Sequence, residues 1–169
     1  MKRRILAPSA RLQTLQEIAK DNGWKLVIDR PRTHTQLRAF AWTLPEGRLV
    51  WVEHHSHGVR FLEVDTEFPP VLAALPTLEQ AALEKGCADR DPGTAIHALN
   101  ALFHLAVVDA FYPALAAHAV HPNVWVRRSA LNLTAYCSGS RTAAAIAPAV
   151  DDEVLGEKWR IELERLQST

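Results

Sequence analysis

Three histidines crowd one short stretch, Glu53-His54-His55-Ser56-His57-Gly58. Neutral imidazole is a good ligand for zinc, copper or nickel, so His54, His55 and His57 are the candidate metal ligands of this chain. A structural zinc site takes about four ligands, and no second group of Cys or His has ligand spacing. The stretch also reads as a hairpin turn, where the strand alternation that aims His55 and His57 the same way breaks down. The expectation is a solvated turn whose charge follows pH, with no metal or cofactor bound.

Other chemistry-bearing groups are sparser. Glu63, Asp65 and Glu67 alternate along and beyond a strand, the pattern of carboxylates that hold a metal for phosphodiester cleavage. No Lys accompanies them, and Asp65 has an expected partner in Arg48. His97 and His104, seven residues apart on one helical face, bracket Asn100 and lead to Asp109, a conceivable acid–base set that lacks a nucleophile. A buried histidine bonded to a neighbouring turn is the plainer account. Cys87 and Cys137 have no basic partner nearby in sequence and read as small packing residues.

Arg127, Arg128, Arg141 and Arg160 occupy similar stages of successive segments, a candidate basic stripe for the phosphates of a nucleic acid. The competing reading pairs an Arg of this set with an acidic turn residue, Asp151 or Asp152, and so fixes packing. Trp125 sits between Val124 and Val126 at a helix start, so one of the three faces outward. It either packs on the preceding turn or presents a large amphipathic ring to a partner.

The elements that position these residues change character near Phe68-Pro69-Pro70. Upstream, Ser9 is a candidate N-cap for a helix with Leu12, Leu15, Ile18 and Ala19 on one face. Asn22-Gly23 stops it. Strand-like runs follow at Trp24–Asp29, Leu37–Leu44, Arg48–His54 and Val59–Asp65, punctuated by Pro45-Glu46-Gly47 and by the histidine turn. Pairing His54 with Val59 puts Val52 opposite Phe61, Trp51 opposite Leu62 and Leu49 opposite Val64. The same register sets Glu53 against Arg60 and Arg48 against Asp65, pairs that each contribute about 0.2–1 kcal/mol.

Downstream the chain is Ala- and Leu-rich, with helices expected at Val71–Leu83, Thr94–Val108, Tyr112–Ala119, Val124–Tyr136, Thr142–Val150 and Val154–Leu166. Pro113 suits a first helical turn, and the charged run from Glu157 to Glu162 suits a wet outer face. The expected fold class is α+β: a helix with a small, mainly antiparallel sheet over residues 1–68, then a helical stack over residues 69–169.

Composition narrows the function classes. Nineteen basic residues balance nineteen acidic ones, so no global field draws the chain to nucleic acid or anionic lipid. The basic start, Lys2-Arg3-Arg4, lacks the apolar core that follows in a secretory signal. No run approaches the roughly 18–20 apolar residues of a membrane span. Two isolated cysteines make no disulfide framework. A cytoplasmic protein with reduced thiols is expected.

Turn punctuation recurs at a fixed interval of 30 residues: Asp91-Pro92-Gly93, His121-Pro122-Asn123 and Asp151-Asp152-Glu153. The second unit runs on as Val124-Trp125-Val126-Arg127-Arg128-Ser129-Ala130-Leu131, an amphipathic helix with a Val-Arg-Arg-x-Ala start. Residues 88–166 thereby resemble HEAT-type helical repeats of the short variety, about thirty residues long. The first unit keeps the turn but has His97 in place of the Arg, and the third keeps the turn and one apolar position. The resemblance implies a noncatalytic protein-binding module or adaptor, of which a small inhibitor or immunity-type protein is one form. Its expected partner is another protein, met by Trp125, Arg127, Arg128, Arg141 and Arg160. The alternative is a HEAT-like protein that acts on nucleic acid through the Arg stripe.

Overall fold

The computed structural model describes residues 2–33, 37–65, 68–106 and 108–168. The fold is α+β: a five-stranded antiparallel sheet lies in the N-terminal half, and the C-terminal half is helical. Two compact units divide between Glu79 and Gln80, beyond the composition change at residue 68. Among the described residues no helix is long and apolar enough to cross a membrane.

The sheet unit contains β1 (Lys2–Ile5), α1 (Leu12–Asp21), β2 (Lys25–Arg30), β3 (Arg38–Leu44), β4 (Gly47–His54), β5 (Val59–Val64) and α2 (Pro69–Ala74). The strand order is β1-β5-β4-β3-β2. Strand alternation sends Phe40, Trp42, Leu49, Trp51, Leu62 and Val64 to one face, where they meet Leu15 and Ala19 of α1 and Val71 and Leu75 around α2. The β4–β5 register follows the side-chain pattern: His54 pairs with Val59, Val52 with Phe61, Trp51 with Leu62 and Leu49 with Val64.

The charges opposite one another in that register find other partners. Arg60 donates to the carbonyls of Ala10 at 2.9 Å and Pro8 at 2.8 Å. Glu53 accepts from the Trp51 indole N–H at 3.0 Å and faces Arg38 at 3.5 Å. Asp65 meets Arg48 through the backbone, its N–H donating to the Arg48 carbonyl at 3.2 Å. Arg60 also explains why Ser9 is not the helix cap. Residues 7–10 form a turn, Ala10 N–H to Ala7 carbonyl at 3.0 Å, whose carbonyls the guanidinium holds, and α1 starts only after an extended Arg11. The stop at Asn22-Gly23 stands as expected, with Gly23 at φ +66°.

This unit has one strand beyond the expected four and corrects one expected helix. Lys2–Ile5 is an edge strand, because Ile5 is fully buried and Arg3 pairs with Glu63 across the ladder. The single helix expected over Val71–Leu83 is interrupted. Pro76 and Thr77 return to the end of β1: the Ala7 N–H donates to the Pro76 carbonyl and the Leu78 N–H to the Ile5 carbonyl, both at 2.9 Å. Helix resumes in the second unit.

The helical unit contains α3 (Gln80–Cys87), α4 (Pro92–Leu105), α5 (Val108–Ala119), α6 (Val124–Thr134), α7 (Gly139–Ile146), a 3-10 turn at Ala147–Asp151 and α8 (Gly156–Gln167). Most helices pack on their chain neighbours and on the next but one: α4 on α5 and α6, α5 on α6 and α7, and α8 on both α6 and α7; α6 and α7 do not pack closely on each other. Helix α4 ends at Leu105 because Ala106 turns left-handed, at φ 56°. Helix α5 begins at Val108, which places Pro113 inside it and not in its first turn. The charged run of α8 is not wholly wet, since Trp159 is fully buried.

Gly156 opens α8 where its backbone presses on the preceding turn. A Cβ there would stand 2.7 Å from the Val150 carbonyl oxygen, a backbone atom that cannot swing away. Alanine gains about 1 kcal/mol of helix propensity over glycine, whereas overpacking costs about 1–3 kcal/mol. The clash therefore wins. Gly156→Ala should lower the denaturant midpoint, and a raised midpoint would contradict this packing.

Candidate functional site

The three punctuation sites each turn a short polar side chain back onto the backbone. Asp91 caps α4, its Oδ2 accepting from the Thr94 N–H at 2.7 Å and from the Thr94 hydroxyl at 2.8 Å. Asn123 caps α6, its Oδ1 accepting from the Trp125 N–H at 2.8 Å. Asp152 Oδ1 accepts from the N–H groups of Val154 at 2.8 Å and Leu155 at 2.7 Å in the turn before α8. Such side chains satisfy donors that a helix start leaves unpaired.

Arg127 joins two of these turns. One guanidinium nitrogen donates to the carbonyls of His121 at 2.7 Å and Pro122 at 2.9 Å. Its Nε lies 2.5 Å from Asp152 Oδ2, and the two side chains are only 13% and 11% exposed. Arg127 is thus a packing residue and leaves the expected partner-binding set. Burial works against ionising Asp152, but the Leu155 and Val154 N–H groups and the Arg127 guanidinium outweigh it and hold the carboxyl below its ordinary value.

The adjacent residues face the other way. Val126 is fully buried, while Trp125 is 62% exposed and so is the outward member of its trio. The Arg128 guanidinium carbon sits 5.7 Å from the Trp125 ring centroid, within cation–π reach. Arg141 of α7 lies 4.7 Å from the Tyr112 ring and 3.3 Å from Asp109, an exposed ion pair. Arg160 is exposed on α8. The contacts of Arg128 and Arg141 thus fall on different helices, α6 and α5.

Beneath Arg141 is a feature that periodicity did not reveal. Phe103, Ala106, Phe111, Tyr112, Tyr136 and Cys137 line an open pocket of about 250 Å³. Phe103 packs against Phe111 at 5.6 Å and against Tyr136 at 6.4 Å between centroids, and Tyr136 is 61% exposed. These aromatics come from three separate segments, so only tertiary packing unites them. Burial pushes the Cys137 thiol up to about 11 and the Cys87 thiol up to about 12, which leaves both protonated and unreactive at neutral pH.

Among the described residues, the candidate catalytic sets are not seen to assemble. Glu63 is paired with Arg3 at 2.9 Å, Asp65 is exposed, and Glu67 lies outside the described residues. Asn100 and His104 are buried in α4, whereas the Asp109 side chain is almost fully exposed beside Arg141. The histidine bonded to a neighbouring turn is His118, which sequence reasoning passed over. It is 1% exposed, with Nε2 2.9 Å from the Cys87 carbonyl, and burial lowers its pKa.

The histidine turn is real but only partly solvated. Residues 55–57 form one 3-10 turn closed by left-handed Gly58, at φ 63°. His55 leans toward Glu53, at 3.8 Å, while His57 is buried and stacks on His54 with ring centroids 3.9 Å apart. Burial first, and the neighbouring His54 second, lower the His57 pKa to about 4. His57 is therefore not the pH-following surface charge expected of it.

Comparisons with family models, curated proteins and solved structures return no match for this chain.

The Asp152 carboxyl ionises more readily folded than unfolded. Its contribution to stability is present above the unfolded value, about pH 4, and is lost as pH falls through the lower folded value. Asp152→Asn should therefore flatten the acid limb of the stability–pH curve measured by denaturant unfolding. An acid limb with unchanged slope would contradict the assignment.

Proposed function

We propose that the helical unit is a noncatalytic, HEAT-like module that binds another protein through the surface carrying Trp125 and Arg128. The observation that carries this reading is the outward Trp125 with Arg128 stacked over it. Tryptophan and arginine are the residue types that most often dominate binding energy, and the start of a packed helix holds them with little entropy left to lose. The next-but-one helix contacts and the recurring capped turns support the repeat reading. The aromatic pocket offers a second place for an apolar anchor from the same partner.

Nucleic-acid binding through an Arg stripe is less well supported. Useful affinity for phosphate needs several free cations. Arg127 is committed to Asp152, and Arg141 shares its charge with Asp109. The pairing of Glu63 with Arg3, and the exposure of Asp109 while His104 is buried, are compatible with a binding role, including that of an enzyme-blocking inhibitor or immunity-type protein.

The test is capture of partners from native lysate with and without nuclease, followed by affinity measurement with the purified partner. A stoichiometric protein should survive nuclease, and Trp125→Ala and Arg128→Ala should each weaken it by about tenfold or more. Because both residues are exposed, their thermal midpoints should match the parent's. Recovery of nucleic acid alone, or full affinity in both variants, would sink the proposal.

A further inference from the structure

The sequence offered three histidines as ligands, and the fold selects two of them. Strand β4 ends at His54, and the 3-10 turn with left-handed Gly58 folds the chain back at once. That reversal lays the His57 ring over the His54 ring, centroids 3.9 Å apart and planes inclined by only 16°. His55 diverges toward Glu53.

We propose that the stacked pair His54 and His57 is a binding site for a divalent late first-row transition-metal ion of the zinc or copper class.

Near-parallel rings at this spacing bring nitrogens side by side. Ligand atoms of the pair lie within 4.8 Å of one another. Metal–imidazole bonds are about 2.0–2.1 Å long and lie in the ring plane, so two nitrogens on one ion stand at most about 4.2 Å apart, and the rings turn out of their stack to aim both lone pairs at it. Ser56 Oγ stands 3.2 Å from His54 Nδ1, a contact that orients the ring; in the tautomer whose Nδ1–H donates to it, Nε2 carries the lone pair. Imidazole nitrogen is the donor that zinc, copper and nickel prefer over magnesium or calcium.

Burial agrees with that geometry. His57 is 8% exposed, which shields its side of the site, while His54 is half-buried and leaves an approach from solvent. Two protein nitrogens do not complete a coordination sphere, and water or further side chains fill the remainder.

The test uses the full chain, stripped with chelator and titrated with zinc, nickel or copper(II) salts by calorimetry and thermal shift at neutral pH. One ion per chain should bind, raise the melting temperature and be reversed by chelator. His54→Ala and His57→Phe should each weaken binding at least tenfold, and His55→Ala should leave it unchanged. His57→Phe keeps a ring in the buried position, and His54→Gln at the half-buried position serves if that variant does not fold. Alanine replacement of each of the other five histidines in turn then finds any further ligand. Absence of binding by all three ions overturns the proposal. So does undiminished binding in the His54/His57 double variant, or an equal loss on His55→Ala.

Discussion

The organisation of the helical unit turns on one buried charge pair. Arg127 and Asp152 are each almost out of water, and neither is left with a bare charge. The guanidinium also serves two carbonyls of the turn before α6, and the carboxylate also serves two N–H groups of the turn before α8. Desolvating two ions is expensive, and the attraction offsets it only when the remaining hydrogen-bonding capacity is used. Here Arg127 Nη1 and Asp152 Oδ1 are so used, while Arg127 Nε meets Asp152 Oδ2 as a close ion pair. The pair therefore does what a single cap cannot: it fixes one inter-helix turn against the next.

That constraint also separates two neighbours that the sequence presents as equals. Arg127 and Arg128 both belong to a basic run, yet a helix turns about 100° per residue, so only one of them faces the next turn. Arg127 meets Asp152, and Arg128 is left beside Trp125 on the outer side. Valine on either side of Trp125 made one outward residue inevitable, but which one depended on where α6 begins. Asn123 settles that by capping it.

Much of the sheet unit was legible because strand alternation and turn residues act locally. The β4–β5 register could be read from matched apolar pairs, and Asn22-Gly23 gave the end of α1. What escaped depends on contacts distant in sequence. Lys2-Arg3-Arg4-Ile5 has no alternation of its own and becomes a strand only through pairing with β5. The break between α2 and α3 comes from Pro76 and Thr77 reaching the end of β1, and Trp159 is buried within a run that looks solvated. The candidate surface shows the same division. Trp125, Arg128 and the acidic partner of Arg127 were readable from spacing, whereas the aromatic pocket joins α4, α5 and the segment before α7. His57 looked exposed because its turn is polar, and only the reversal at Gly58 lays it on His54.

Arg127 acts through Asp152 as a structural clamp between the turns before α6 and α8. A double-mutant cycle tests it most directly: unfolding free energies of the parent, Arg127→Ala, Asp152→Ala and the double variant. Residues bonded to each other couple by about 0.5–3 kcal/mol, so the double variant should be clearly less destabilised than the sum of the singles. Strictly additive losses would contradict the clamp and return Arg127 to the surface set.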